Sequence, residues 1–160
     1  MHVQPTPQHE WLRQLVGTWT IESSCDMGDG SPPMTSTARE VVRAMGELWI
    51  IAEMTGEIPG GGAFNSIMTL GYDSAKERFV GSWAGTPMTN MFVYDGALDA
   101  AQKTLTLSTP GPGMEDPTKT CNYEDVIELV TNDERLFHSQ MQLDDGTWNR
   151  FMTGVYRREA

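Results

Sequence analysis

LVGTWT, residues 15–20, is where the repeat of the chain changes. Before it, in TPQHEWLRQLVG (6–17), Trp11, Leu12, Leu15 and Val16 fall on one stripe at helical spacing. Thr6 suits an N-cap, Pro7 the first helical position and Gly17 the exit. After it, Trp19, Ile21, Ser23 and Cys25 alternate with Thr18, Thr20, Glu22 and Ser24, the period of a half-buried strand. The pattern predicts a tail over 1–6, then a helix over 7–16 too short to stand alone, then a strand.

The period of two then persists. Runs rich in Val, Ile, Thr and aromatic residues follow at 35–45, 48–58, 64–73, 78–86, 91–98, 104–109, 120–131, 135–143 and 147–157. Between them stand turn residues: Gly28-Asp29-Gly30, Met45-Gly46-Glu47, Pro59-Gly60-Gly61-Gly62, Asp73 to Lys76, Pro110-Gly111-Pro112-Gly113, Asn132-Asp133 and Asp145-Gly146. Connectors this short join antiparallel neighbours, because a parallel crossover needs a dozen or more residues. About ten strands in one meander would expose two long edges, and closure removes both. The expectation is an all-β fold: one antiparallel up-and-down barrel over 17–158, in a single domain spanning 1–160, with the short helix plugging one end.

The bulk composition excludes several classes. The chain has 160 residues, 39% of them hydrophobic and 21% charged, with a formal charge of −11. Nucleic acid and anionic membranes need clustered Lys and Arg, so neither is expected as a partner. No run reaches the ~20 apolar residues of a membrane helix. MHVQPTPQHEW has no basic cluster and no apolar core of a secretory signal, so a cytoplasmic location is expected. Cys25 and Cys121 form no C-x-x-C and read as free thiols.

Gly17-Thr18-Trp19, after a short helix and at the start of the first strand, resembles the signature of lipocalins and related calycins. That resemblance implies a tryptophan packed across the closed base under an arginine of the last strand, here Arg157 or Arg158. Gly17, Trp19 and Arg157 are therefore the expected closure. A wider set of motifs resembles a bacterial family known as domain of unknown function 1579. They are HEWL (9–12), LVGTW (15–19), MTLGYD (68–73), RFVGSW (78–83), YDG (94–96) and the ending FMTGVYR (151–157). The resemblance implies a calycin-like barrel and small-molecule binding, with no reaction to carry over. Haem-binding barrel relatives such as nitrobindin use an axial histidine, which makes His138 the one residue for such a role; otherwise no cofactor is expected.

Read for chemistry, the chain offers little that is local. Its three histidines form no H-x-H or H-E-x-x-H, so no metal site is expected. There is no G-x-S-x-G, no phosphate loop and no activated cysteine, so no catalytic residue is assigned. Strand parity turns Glu40 and Asp125 inward and Glu53 outward. An inward acid would titrate high and serve as a general acid or base, unless an interior arginine such as Arg39, Arg43 or Arg150 pairs with it. Eleven Met and five Trp suit an irregular apolar cavity, and Gly81, Gly85 and Gly154 leave room on the strands. The expected lining is Phe79, Trp83, Met91, Tyr123, Asp125, Phe137, His138 and Met152, around a small apolar or amphipathic ligand. The alternatives are an isomerase, cyclase or hydrolase using an inward carboxylate, tyrosine or His138, and a homodimer-forming protein with a filled barrel.

Overall fold

The computed structural model describes every residue except Met1, Met27 and Pro59, so the first residue of the expected 59–62 turn lies outside it. A helix, α1 (Pro7–Arg13), precedes ten strands: β1 (Gly17–Cys25), β2 (Met34–Met45), β3 (Trp49–Glu57), β4 (Ala63–Asp73), β5 (Arg78–Gly85), β6 (Phe92–Leu98), β7 (Thr104–Pro112), β8 (Thr120–Leu129), β9 (Glu134–Gln142) and β10 (Trp148–Arg158). Each strand pairs antiparallel with the next, and β1 closes on β10 from Trp19↔Arg158 to Cys25↔Met152. The expected meander and closed barrel are both present.

α1 is shorter than its stripe suggests. It ends at Arg13, and Leu15 and Val16 continue as tight turns, with their amides donating to the carbonyls of Leu12 (3.0 Å) and Arg13 (3.1 Å). This tightening aims the Leu15 carbonyl at Trp19, whose Nε1–H donates to it at 2.9 Å. Trp11, Leu12 and Leu15 are buried against the barrel, each side chain contributing about 1.5–3 kcal/mol. Trp11 Nε1–H also donates to the Gln102 carbonyl at 2.7 Å, tying α1 to the β6–β7 turn. His9 is buried and bridges two elements: Nδ1 accepts from the Thr6 amide (2.9 Å) and Nε2–H donates to the Tyr72 carbonyl (3.0 Å). It thereby takes the part that Glu or Gln plays in an ordinary capping box.

The closure itself corrects the sequence reading. Arg158, not Arg157, stands over the Trp19 ring, at 4.3 Å from its centroid. Register gives the reason: Arg158 is the cross-strand partner of Trp19 and shares its face, whereas Arg157 pairs with Thr20 and faces out. There Arg157 meets Glu22 at 3.2 Å and Glu134 at 3.9 Å, both largely exposed contacts. Arg158 donates to the carbonyls of Val16 (2.6 Å), Gln14 (2.9 Å) and Asn132 (3.0 Å). Gly17 has φ of 140°, and a Cβ there would lie 2.3 Å from Arg158 Nη1. The glycine of G-x-W is thus the space through which the arginine passes.

Two further differences concern strands. Pro110 to Pro112 belong to β7 rather than to a connector. They pair with β8 alone, because the β6–β7 ladder covers only Asp95–Leu98 against Leu105–Ser108. Proline, lacking an N–H, is tolerated where one flank of a strand has no ladder. Gly81 and Gly85 answer close approaches: a Cβ would meet the Thr69 carbonyl at 2.0 Å and the Trp83 ring at 2.4 Å.

Arg158→Ala removes three carbonyl contacts and the stacking on Trp19, and should cost about 2–4 kcal/mol. Arg157→Ala should cost under about 0.5 kcal/mol, since its ion pairs are exposed. Thermal melts followed by circular dichroism distinguish them; equal shifts would contradict the assignment of Arg158 as the closing residue.

Candidate functional site

α1 and the turns at 46–48, 74–77, 99–103 and 130–133 occupy one end of the barrel, the base. Above it lies a cavity of about 860 Å³, opening toward the connectors at 26–33, 58–62, 86–91, 113–119 and 143–147. Pockets of about 300–1,000 Å³ hold small molecules, so this is room for a ligand rather than a packing defect. Its existence follows from strand number, since ten strands enclose more space than one inward layer of side chains fills. Leu15, Val42, Ile50, Leu70 and Ile127 make the floor, and Met34, Met88, Met114 and Phe151 reach the mouth.

The wall carries an aromatic arc. Ring centroids are 6.3 Å apart for Phe64–Trp83, 5.9 Å for Trp83–Phe92, 5.8 Å for Phe92–Tyr123 and 6.2 Å for Tyr123–Phe151. All five residues line the cavity. The Tyr123 hydroxyl is held by donating to the Pro112 carbonyl at 2.6 Å.

Two polar clusters interrupt this apolar surface. Nearer the base, Arg135 Nη2 donates to Glu40 Oε1 at 2.5 Å, and both side chains are almost wholly buried. The Arg135 guanidinium also stands 4.7 Å from the Trp19 ring and 4.2 Å from the Tyr156 ring. Glu40 faces in as its parity predicts, but its partner is Arg135, and not Arg39, Arg43 or Arg150. Arg135 could not be found from local pattern, because it meets Glu40 only across the closed barrel. Burial and the Glu40 charge push the Tyr156 phenol well up, keeping it neutral.

Midway up the wall, Asp125 projects from β8 into the cavity. The Ser139 hydroxyl donates to its Oδ1 at 2.6 Å, and the Tyr94 hydroxyl donates to its Oδ2. Burial pushes the Asp125 carboxyl up, opposed in part by these two hydrogen bonds. Tyr94 is pushed well up by its own burial and by the adjoining carboxylate. Tyr94 and Ser139 had no signal in the sequence beyond inward parity.

Of the residues expected to line the cup, Trp83, Tyr123, Asp125, Phe137 and Met152 face the cavity. Three do not. Phe79 lies beneath the floor, packed on Tyr72 (5.0 Å between centroids) and Trp11 (6.1 Å), because α1 fills that end. Met91 is 59% exposed, since β6 begins at Phe92 and its inward row starts there. His138 lies between the inward Phe137 and Ser139, so its ring is on the outer face, where desolvation and the neighbouring Arg150 lower its pKa. None of the three histidines lines the cavity, so these residues do not fit a histidine-ligated haem in the cup.

A carboxyl raised by folding favours the folded state when protonated. Its contribution is complete below the ordinary value of 3.8 and is lost as pH rises through the raised value. Asp125→Asn removes that titration. Urea unfolding at a series of pH values should therefore show the variant gaining on the native protein as pH rises above about 4. A stability difference that stays flat with pH would contradict the burial of this acid.

Comparisons with known proteins agree with this architecture. The crystal structure of Rv2717c from M. tuberculosis is similar over 98% of this chain and 100% of that chain, with TM-score 0.63 and 14% identity. A barrel described as EF1p2_mFAP2b bound to DFHBI is similar over 94% of this chain and 98% of that chain, with TM-score 0.51 and 13% identity. At these identities the likeness shows the fold alone. No curated protein matches the chain. The model of the family described as "Protein of unknown function (DUF1579)" matches residues 4–158, and the chain belongs to that family.

Proposed function

We propose that this protein binds a small apolar or amphipathic molecule in the barrel, without covalent chemistry. The observation that carries the reading is the cavity of about 860 Å³, open at one end and lined mostly by Met, Trp, Phe and Leu side chains, with Asp125 among them. Apolar surface left facing water in a cavity is a standing gain for any ligand that displaces that water. Met54, Met68 and Met152 supply adaptable walls, which suits ligands of varied outline. A filled barrel, the premise of the oligomer alternative, does not match this interior. A cytoplasmic location accompanies the proposal, and the free Cys25 and Cys121 are compatible with it.

Asp125 supports a second, enzymatic reading, because it is an inward acid with a raised pKa facing a space that a substrate could enter. Its hydroxyl partners Tyr94 and Ser139 would hold its orientation during proton transfer. Binding remains the more economical reading, since it needs no group beyond the cavity itself.

The neutral fluorophore N-phenyl-1-naphthylamine tests the binding reading. It should enter with a 1:1 stoichiometry and blue-shifted emission. Ala52→Trp, which fills the middle of the cavity from β3, should weaken it tenfold or more while leaving the strand circular dichroism intact. A probe that does not bind, or binds equally well to the filled variant, would overturn the proposal.

A further inference from the structure

The charges and ring faces inside the cup select among ligand classes. Four charged side chains line the cavity: Glu40, Glu57, Asp125 and Arg135. Arg135 and Glu40 cancel within their buried pair. What remains toward the ligand is acidic. Asp125 accepts one hydrogen bond at each oxygen, and a carboxylate oxygen has room for about two. Lone-pair capacity is therefore left on a carboxylate that lines the cavity.

The aromatic arc runs beside this acid. Tyr123 stands two residues before Asp125 in the same inward row of β8, and Phe92 and Trp83 continue the arc. Ring faces carry the negative part of the aromatic quadrupole, and a cation within about 6 Å of a ring centroid is attracted to it. A carboxylate and aromatic faces together are complementary to a protonated amine with an apolar body. They are poorly complementary to a carboxylic acid, whose anion would meet Asp125. A neutral molecule would gain from the arc but nothing from the charge of the acid.

The approach carries the same sign. Connectors at the mouth hold Asp26, Asp29, Glu115, Asp116, Asp144 and Asp145 against Lys119 alone. Asp29, Asp116 and Asp145 each accept hydrogen bonds from a Ser or Thr two residues on, which keeps their carboxyls below the usual range. A mouth of one sign attracts the opposite charge over about a Debye length. It is a funnel for cations, while the cavity supplies the site.

We propose that the molecule held in the cup is an amphipathic amine, its protonated head against Asp125 and its apolar body along the aromatic arc. The proposal rests on the small-molecule reading above. The one feature of the interior that favours an anion is Arg135, whose Nε is buried without a partner. Its guanidinium is already committed to Glu40 and to the rings of Trp19 and Tyr156, and it lies at the base end of the cavity.

Three probes of nearly equal size decide the matter: 1-naphthylmethylamine, 1-naphthylmethanol and 1-naphthoate, titrated at pH 7 by calorimetry. The amine should bind at least tenfold more tightly than the alcohol, and the carboxylate most weakly of the three. Asp125→Asn keeps an oxygen to accept from Tyr94 or Ser139, and should abolish the tenfold preference for the amine over the alcohol. The ranking with the native protein stands by itself if that variant does not fold. Equal affinities for amine and alcohol would overturn the amine assignment and leave the apolar pocket standing. Tightest binding of naphthoate would overturn it in favour of Arg135 as the recognition group. Failure of all three, and of N-phenyl-1-naphthylamine, would overturn both this inference and the binding reading beneath it.

Discussion

The packing of Trp19 against two guanidiniums is the constraint on which the rest of the barrel depends. Arg158 reaches it from the end of β10 and Arg135 from β9, at 4.3 and 4.7 Å. Neither arginine is spare. Arg158 also gathers the carbonyls that α1 leaves unsatisfied at its exit, and Arg135 is neutralised by Glu40 on β2. The first strand, the last two strands and the helix are thereby joined at one point. The buried Arg135 guanidinium is tolerable because its charge is met by Glu40 and its faces by the Trp19 and Tyr156 rings. That requirement fixes the position of Glu40 on the inner face and the glycine at 17.

Sealing the base in this way leaves the other end free. α1 fills the lower interior with Trp11, Leu12 and Leu15, and Phe79 packs against it from β5. Among the described residues no helix caps the mouth. The cavity is the difference between a ten-strand circumference and the side chains available to fill it. Into the middle of this space the fold admits an acid without a cationic partner, Asp125, held by two hydroxyls that come from β6 and β9. The polar groups of the base serve closure, and those of the wall face the ligand space. This separation lets the interior of a rigid barrel carry recognition without weakening what holds it shut.

Much of the architecture could be read along the chain because it is written in short-range pattern. Alternation over 17–25 and the turn residues at 28–30, 45–47 and 145–146 follow from backbone sterics and burial, which act between neighbours. Parity also placed Asp125, Tyr123, Trp83 and Met152 on the inner face. It failed where a strand end had to be located to one residue. Parity puts Met91 in a row that begins at Phe92, and Arg157 in a row that belongs to Arg158. A slip of one residue reverses the face, so these errors are large in consequence and small in cause. Phe79 was misplaced for another reason: inward parity does not say at which depth of the barrel a residue sits, or that α1 covers it.

The sequence by itself determined the strand count, the antiparallel meander, the plug helix and the identity of most inward residues, because period and turn chemistry are local. It also carried the family membership in motifs such as LVGTW and RFVGSW. Only the tertiary structure decided which arginine closes the base, that Glu40 is spent on Arg135, and that Asp125 meets Tyr94 and Ser139. Those contacts join residues 95, 31 and 14 positions apart in the chain. They depend on the register of the four strands that carry them and on closure, and no local propensity encodes a distance across a barrel.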